Sequence, residues 1–495
     1  MSSALEEMEA LLVGDDWARE VDMVLSMPGP GTYRVSSSTG SVTFERRAEG
    51  EHWAYETVAA SGVDPIADDA TDRFVGHDHE RDSRFPTGAD NAYPYALEHI
   101  SQFFDAPHAP DLVIQHTASH HFDDHLGQHG SLGAVQARAP FIAAGPGVRA
   151  LGTVDRHTRV VNVAPTVAAL LGLEHHPEGR GPTGTRRADA FLARQDGDVE
   201  WAVLDGTHPD HVMVILLDGC NANLLYDAIA RGEAPHMAGL AAAGTSYRHG
   251  AVSSLPTATL ANHTTATVGA HPGHTGVLHN TWHDRGNGET PDLLSLEQMF
   301  TAMRHLDPSV ETIHEAIHRC RPDAFTAATF EFCDRGADHS SFGLIRNGRR
   351  PDFPSRAEIH HMDAAAGERS ELYAWMSSVD HLSTNEMVDI WQRVDGNPLP
   401  TLSWLGLAVT DEAGHVGGPH SELARASVRD SDARVGAVLE AIESAGVLER
   451  TAFLVIADHG MEQNDPGNDR RWTEAVERSG VPCRQVADNF IYLGA

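Results

Sequence analysis

In "TDEAGH" an aspartate and a histidine, Asp411 and His415, stand four residues apart, and in "IADHG" Asp458 and His459 are adjacent. The first spacing sets an oxygen and a nitrogen on one side of a helical turn. The second lets both side chains reach one ion where a strand breaks into a loop. Asp218, closing "VILLDG", offers a third carboxylate. Mixed carboxylate and imidazole donors suit Zn²⁺ first, with Mn²⁺ or Fe as alternatives. A nucleophile for such a centre stands in "SLPTATLANHTTATVGAHPGHTGVLHN", where Thr259 follows the Pro256-Thr257 turn at the expected start of a helix. Unsatisfied N–H groups and the helix dipole stabilise negative charge there. A threonine hydroxyl attacks poorly at neutral pH, and coordination to a divalent ion activates it without a general base. The alternative role for Thr259 is that of a helix cap, and the two roles are compatible.

These residues need a scaffold that brings them together. "HVMVILLDG", "LSWLGLAVTDEAGH" and "TAFLVIADHG" are apolar runs of strand length, each ending at an aspartate. Helix-like segments follow two of them directly, "NANLLYDAIARGEAPHMAGLAAAG" and "SELARASVRDSDARVGAVLEAIESAG", with apolar residues at three- and four-residue spacing and a closing glycine. The alternation predicts an α/β fold with a central, mostly parallel sheet covered by helices on both faces. In such sheets ligands collect beyond the carboxyl ends of the strands, where the three aspartates converge. Further strands are expected at "DLVIQ" and "APFIAAG". Residues 174–210, rich in Gly, Pro, Arg and Asp, read as a connector, and residues 290–400 as an inserted cap.

Composition limits the partners. Of 495 residues, 71 are acidic and 36 basic, a formal charge of -35 that disfavours a groove tracking a nucleic-acid backbone. Four cysteines without CxxC spacing, an acidic N-terminal segment without a signal-peptide pattern, and no apolar run near ~18 residues point to a cytoplasmic protein with no membrane span. Oligomeric state is not legible. The 32 histidines exceed what catalysis needs, so His116, His120, His121 and His125, or His360 with His361, read as solvated loops.

Together, "VILLDG", "LPTATLANHTTATVGAHPGHTGVLHN", "TDEAGH" and "ADHGM" resemble the alkaline phosphatase superfamily, most closely its nucleotide pyrophosphatase/phosphodiesterase branch. The resemblance implies two zinc ions held by six Asp and His ligands, a threonine that attacks phosphorus, and an asparagine that holds a phosphate oxygen. Asp218, Asp458 and His459 match the ligands of the ion that activates the nucleophile, and Asp411 and His415 match two ligands of the other. Thr259 matches the nucleophile and Asn280 the amide. Leu260 follows the nucleophile where nucleotide-cleaving relatives often carry an aromatic residue. The sixth ligand belongs to a histidine beyond "DHG", yet no histidine follows His459.

The features expected around that ligand occur instead near the front of the chain. "GQHGSLGAVQARAPFIAAGPGV" and "VVNVAPTVAALLGL" carry the family's closing pattern in its usual order, which makes His129 the missing ligand. The chain therefore reads as circularly permuted. Residues 1–173 correspond to the usual C-terminal part of the catalytic domain, and 211–495 to its N-terminal part. The implied activity is hydrolysis of a small phosphodiester or nucleotide pyrophosphate through a phosphothreonine. A phosphonate hydrolase or phosphomonoesterase is the alternative, with a phosphomutase behind them.

Overall fold

A computed structural model describes residues 3–121, 125–295, 297–359 and 361–494. Its centre is an eight-stranded sheet. From one edge the strands are His339–Ser340, Thr326–Thr329, Leu402–Leu407, His211–Leu217, Thr451–Ile456, Phe141–Ala144, Thr245–Tyr247 and Gly152–Val154. The first five run parallel, Phe141–Ala144 is antiparallel to both of its neighbours, and Gly152–Val154 is parallel to Thr245–Tyr247. His211–Leu217 is buried along its whole length. A strand covered on both faces has no solvent side, which is why this one reads as an unbroken apolar run rather than an alternation. One helix group packs Glu371–Trp391 on Glu422–Ser444 and the latter on Pro235–Ala243, while a second joins Val163–Leu170 to Thr259–Val268 and Ile313–Cys320. This is the expected α/β, alkaline-phosphatase-like architecture. Among the described residues no helix is long and apolar enough to cross a membrane.

A second sheet was not foreseen. Seven antiparallel strands run in the order Cys483–Val486, Phe490–Leu493, Leu112–His116, Val21–Gly29, Thr32–Ser37, Gly40–Glu49 and His52–Gly62. Residues 1–173 are thus divided among sheets, since Phe141–Ala144 and Gly152–Val154 join the central one and shorter strands join two small sheets. The reason lies in pairing partners: two of the seven strands come from the far end of the sequence, and the outermost, His52–Gly62, is largely exposed and lacks a clear inward face. The helix Ser3–Leu12 shares a small core with residues from the other end, Leu5, Met8 and Leu12 lying with Trp472, Val476 and Ile491.

Two stretches read as peripheral are integral. Thr326–Thr329 and His339–Ser340, inside the stretch expected as a cap, extend the central sheet at its edge. Their four and two residues carry no apolar run that sequence periodicity could register. The expected connector is pinned to the core: Asp196 and Gly197 donate backbone bonds to Gly269, and Ala190, Leu192 and Gln195 are fully buried. Arg187 bonds Asp189 and Asp198, and Arg194 bonds Asp196, inside the segment, so a linker-like composition conceals a packed one.

Candidate active site

The site forms beyond the carboxyl ends of three adjacent central strands. Asp218 follows His211–Leu217, Asp411 and His415 lie on the helix Val409–Gly417 just after Leu402–Leu407, and Asp458 and His459 follow Thr451–Ile456. Main-chain anchors hold these turns: Thr410 Oγ1 donates to the Asp218 carbonyl at 2.5 Å, and Ser253 Oγ to that of Asp458 at 2.5 Å. Gly219 has a φ of +60°, and a Cβ there would stand 2.1 Å from Asp411 Oδ1. Only glycine lets the two strand ends approach so closely.

The side chains converge. His459 Nε2 lies 3.0 Å from Asp458 Oδ2 and 3.8 Å from Asp218 Oδ1. His415 Nε2 is 3.4 Å from Asp411 Oδ2, and His129 Nε2 is 3.2 Å from His415 Nε2 and 3.8 Å from Asp411 Oδ1. Two metal-competent clusters result, Asp218 with Asp458 and His459, and His129 with Asp411 and His459. They share His459, whose ring stacks on that of His129 at 3.8 Å. The other ring nitrogens are tied down: His129 Nδ1 to the Thr257 carbonyl at 2.7 Å, His415 Nδ1 to that of Gly127 at 2.8 Å. This fixes each Nε2 toward the centre.

Electrostatics strain this arrangement. Burial, then Asp458 and Asp411, push the Asp218 carboxyl up to about 8. Burial opposes charge on His459, but Asp458 beside it outweighs that and raises it to about 9. Burial and then His459 hold His129 well below the usual histidine range. Asp218 Oδ1, Asp411 Oδ1 and Asp458 Oδ2 are buried without a hydrogen-bond partner among the described residues. Buried carboxylate oxygens left unpaired are costly, and oxygen and imidazole donors in this grouping fit a divalent ion.

Thr259 is the first residue of the helix Thr259–Val268; the cap position is Ala258, and no side chain caps this end. The threonine hydroxyl is therefore not spent on capping, and Thr259 Oγ1 lies 3.5 Å from His459 Nε2. Asn262, fully buried, accepts from Ser254 N at 2.8 Å and donates to the Pro256 carbonyl at 2.8 Å, pinning the turn that presents Thr259. Asn280 Oδ1 accepts from Leu260 N at 3.0 Å, which turns the nitrogen of the carboxamide away from that bond.

Sequence reasoning missed His263, one turn beyond Thr259. Its Nδ1 is 2.9 Å from Glu331 Oε2, and its Nε2 points at Asp218 and Asp458 from 3.8 and 3.9 Å. The signal was its four-residue spacing from Thr259 in "TLANH". Conversely, the histidines read as solvated loops are engaged: His116 accepts from Trp472 Nε1 at 3.0 Å, His121 Nδ1 is 3.0 Å from Asn464 Oδ1, and the His125 ring is 4.7 Å from that of His415. His361 is half-buried, and His360 lies outside the described residues. Composition alone could not show that the opposite end of the sequence closes over them.

No curated protein matches the chain in sequence. Among solved structures it is similar to murine ectonucleotide pyrophosphatase/phosphodiesterase 5, an inactive form in complex with AMP, at 17% identity and a TM-score of 0.35, over 52% of this chain and 59% of that one. It is likewise similar to phosphonoacetate hydrolase from Sinorhizobium meliloti in complex with phosphonoformate, at 20% identity and a TM-score of 0.34, over 52% and 58% of the two chains. The match thus spans less than two thirds of either structure. Residues 212–488, more than half of the chain, match the family described as type I phosphodiesterase / nucleotide pyrophosphatase. That stretch contains Asp218, Thr259, Asn280, Asp411, His415, Asp458 and His459, and the chain belongs to this family.

Proposed function

We propose that the protein is a two-metal phosphoesterase that cleaves small phosphodiesters or nucleotide pyrophosphates by way of a phosphothreonine at Thr259. The observation that carries this reading is the placing of an uncapped Thr259 hydroxyl 3.5 Å from His459, at a helix start and beside carboxylates with unmet oxygens. Asp218, Asp458 and His459 would hold one ion, and Asp411, His415 and His129 the other, with Zn²⁺ the best fit to the donors. Bound there, the ions supply positive charge that lowers the hydroxyl's pKa and neutralises the phosphoryl oxygens.

Thr259 Oγ attacks phosphorus in line with the bond to the leaving oxygen, aided by the free N–H groups of its helix start. The carboxamide nitrogen of Asn280 donates to a phosphoryl oxygen whose charge grows in the transition state. His263, braced by Glu331, keeps Asp218 and Asp458 in place. Water entering from the vacated side then opens the phosphothreonine and restores the hydroxyl.

The same reading includes the permuted order. It is supported by His129, which comes from residues 1–173 but meets Asp411 and His415, and by the pairing of Phe141–Ala144 with Thr451–Ile456. A cytoplasmic setting is supported by four free cysteines. The test is turnover by the zinc-loaded protein of bis-p-nitrophenyl phosphate, p-nitrophenyl phosphate, a dinucleotide polyphosphate and phosphonoacetate, in ¹⁸O-labelled water. A diester or pyrophosphate preference with one labelled oxygen in the product is expected. Preference for the monoester or phosphonate, or return of phosphate to product without label, would overturn it.

A further inference from the structure

The stretch 290–400 reaches the site through one helix. Glu371–Trp391 sets Ser377, Asp380 and Ser383 on one face, at the three-residue spacing of helical neighbours, and all three are fully buried. The Asp380 carboxylate accepts from Ala408 N at 2.7 Å and from Val409 N at 3.1 Å. Ser383 Oγ donates to the Gly406 carbonyl at 3.0 Å, and Thr329 Oγ1 lies 3.2 Å from it. The helix thus grips the carboxyl end of the strand Leu402–Leu407 and the turn that follows. Nothing in the proposed chemistry uses Asp380.

That turn opens the helix Val409–Gly417, which carries Asp411 and His415. The first N–H groups of a helix have no partner within it, and Ala408, at the cap position, has no side-chain oxygen to meet them. Asp380 meets two of these backbone donors from outside, and the helix dipole favours its negative charge there. Asp411 is the third residue of the helix and His415 lies one turn further, so a first turn that frays or tilts moves both ligands. Asp458 hangs on other anchors: Ser253 holds its carbonyl, and Gly219 N donates to its Oδ1 at 3.0 Å. The bond from Thr410 to the Asp218 carbonyl does not involve Asp380. Arg434, fully buried on the helix Glu422–Ser444, donates to the Ser377 carbonyl at 3.1 Å. Burial raises the Asp380 carboxyl to about 6, and the Arg434 charge is the largest influence drawing it down.

We propose that Asp380 is a positioning residue of the metal centre: it fixes the start of the helix Val409–Gly417 so that Asp411 and His415 meet the ion they share with His129, and it leaves the ion of Asp218, Asp458 and His459 untouched. The proposal rests on the two-metal reading of the site. It gives the stretch 290–400 a part in holding metal, through backbone N–H groups rather than through a ligand of its own.

The test is a competition titration of zinc against a chromophoric chelator, on the unaltered protein, Asp380→Asn, the double variant Asp380→Asn with Arg434→Met, and Tyr373→Phe. His129→Ala identifies which of the two affinities belongs to the ion of Asp411 and His415. The double variant removes the buried arginine charge that Asp380→Asn alone leaves without its counterpart. In both Asp380 variants that affinity should fall by at least about tenfold, the usual cost of losing a group that orients metal ligands, while the other ion is held within about threefold. Tyr373→Phe deletes a bond from the same helix to Asp430 and should lower the melting temperature of the metal-free protein with both affinities unchanged. Equal weakening of the two ions, or of neither, overturns the assignment. A second readout needs no Asp380 variant: coupling is reciprocal, so filling the site should slow hydrogen exchange at the Ala408 and Val409 amides by about the same tenfold. Exchange there that zinc leaves unmoved overturns the assignment even where the variants fail to fold. Uptake of fewer than two ions by the unaltered protein defeats the two-metal reading, and this assignment with it.

Discussion

Two buried clusters of aspartate and histidine lie at the two ends of the helix Thr259–Val268, and they differ in how far their hydrogen bonds are met. Around Asp196 every bond is made. Its carboxylate accepts from Arg194 Nε at 2.8 Å, from His271 N at 2.8 Å and from His274 Nδ1 at 2.5 Å, while His274 Nε2 reaches Asp105 at 2.9 Å. Around His459 three carboxylate oxygens, of Asp218, Asp411 and Asp458, have no hydrogen-bond partner among the described residues. Both clusters are built on buried aspartate and histidine, and the closed one adds an arginine, Arg194. A satisfied network stiffens the fold, whereas an unsatisfied one holds the site open for a ligand that can meet its charges.

The sharpest way to break this comparison is to remove the group the open cluster serves. Thr259→Ala should lower turnover by at least about 10⁴-fold, the scale seen when a nucleophile is deleted. Metal content and melting temperature should stay unchanged, because the hydroxyl caps nothing. Residual turnover within tenfold of the unaltered protein would take Thr259 out of the reaction.

Next comes Asn280→Ala, which deletes one donor to the phosphoryl group and should cost about 2 to 4 kcal/mol in kcat/KM. Because Asn280 Oδ1 also fixes Leu260 N, Asn280→Asp is the companion: it keeps that acceptor, replaces the donor by a negative charge, and should lose at least as much. An Asp variant as active as the unaltered protein would show that the amide nitrogen does not meet phosphate.

Much of this was readable in advance, and the failures have physical causes. The three aspartate-ended runs announced both the sheet and the site, since a strand buried on both faces must be apolar and the first polar residue after it must lie at the sheet's end. Asp411 and His415 were legible because one helical turn fixes their relation. His263 was passed over because a histidine within an expected helix looks like any other, and its partner Glu331 lies 68 residues on in a stretch with no strand signal. One pairing of the antiparallel sheet, Leu112–His116 with Phe490–Leu493, joins the two ends of the chain and could not be read locally, whereas Val21–Gly29, Thr32–Ser37, Gly40–Glu49 and His52–Gly62 pair with their neighbours in sequence and were passed over. Local periodicity carries no information on the end-to-end pairing.

A smaller effect on the fold, and a test of the permuted order, comes from His129. His129→Ala should lower the metal content from two ions to one, whereas His121→Ala, whose ring meets Asn464 instead, should keep both. Two ions retained in the His129 variant would remove it from the ligand set. A gene rebuilt as residues 211–495, a short linker and residues 1–173 should then hydrolyse the same substrates, since closure entropy varies only slowly with linker length. A folded, metal-loaded but inactive rebuilt protein would defeat the permuted reading.

The least change in catalysis is expected from the closed cluster, and there the comparison is sharpened rather than broken. Burial opposes ionisation of Asp196, but His274 and Arg194 outweigh it and hold its carboxyl well below the usual range. Burial likewise opposes charge on His274, yet Asp196 raises it above the histidine norm. A carboxyl depressed on folding adds stability above its unfolded value, about 3.9, that is lost as the pH falls through the folded value; a histidine raised on folding adds stability below about 6.5 that is lost as the pH rises through its folded value. The pair thus contributes most between these limits. Asp196→Asn should cost about 3 to 5 kcal/mol there, the usual result of leaving a buried partner uncompensated, and should flatten the acid limb of a plot of melting temperature against pH. Once folded, its kcat should lie within about twofold of the unaltered protein, because none of its bonds reaches His459 or Thr259. A tenfold fall in kcat with the melting curve unmoved would reverse the assignment and make the satisfied cluster part of the chemistry.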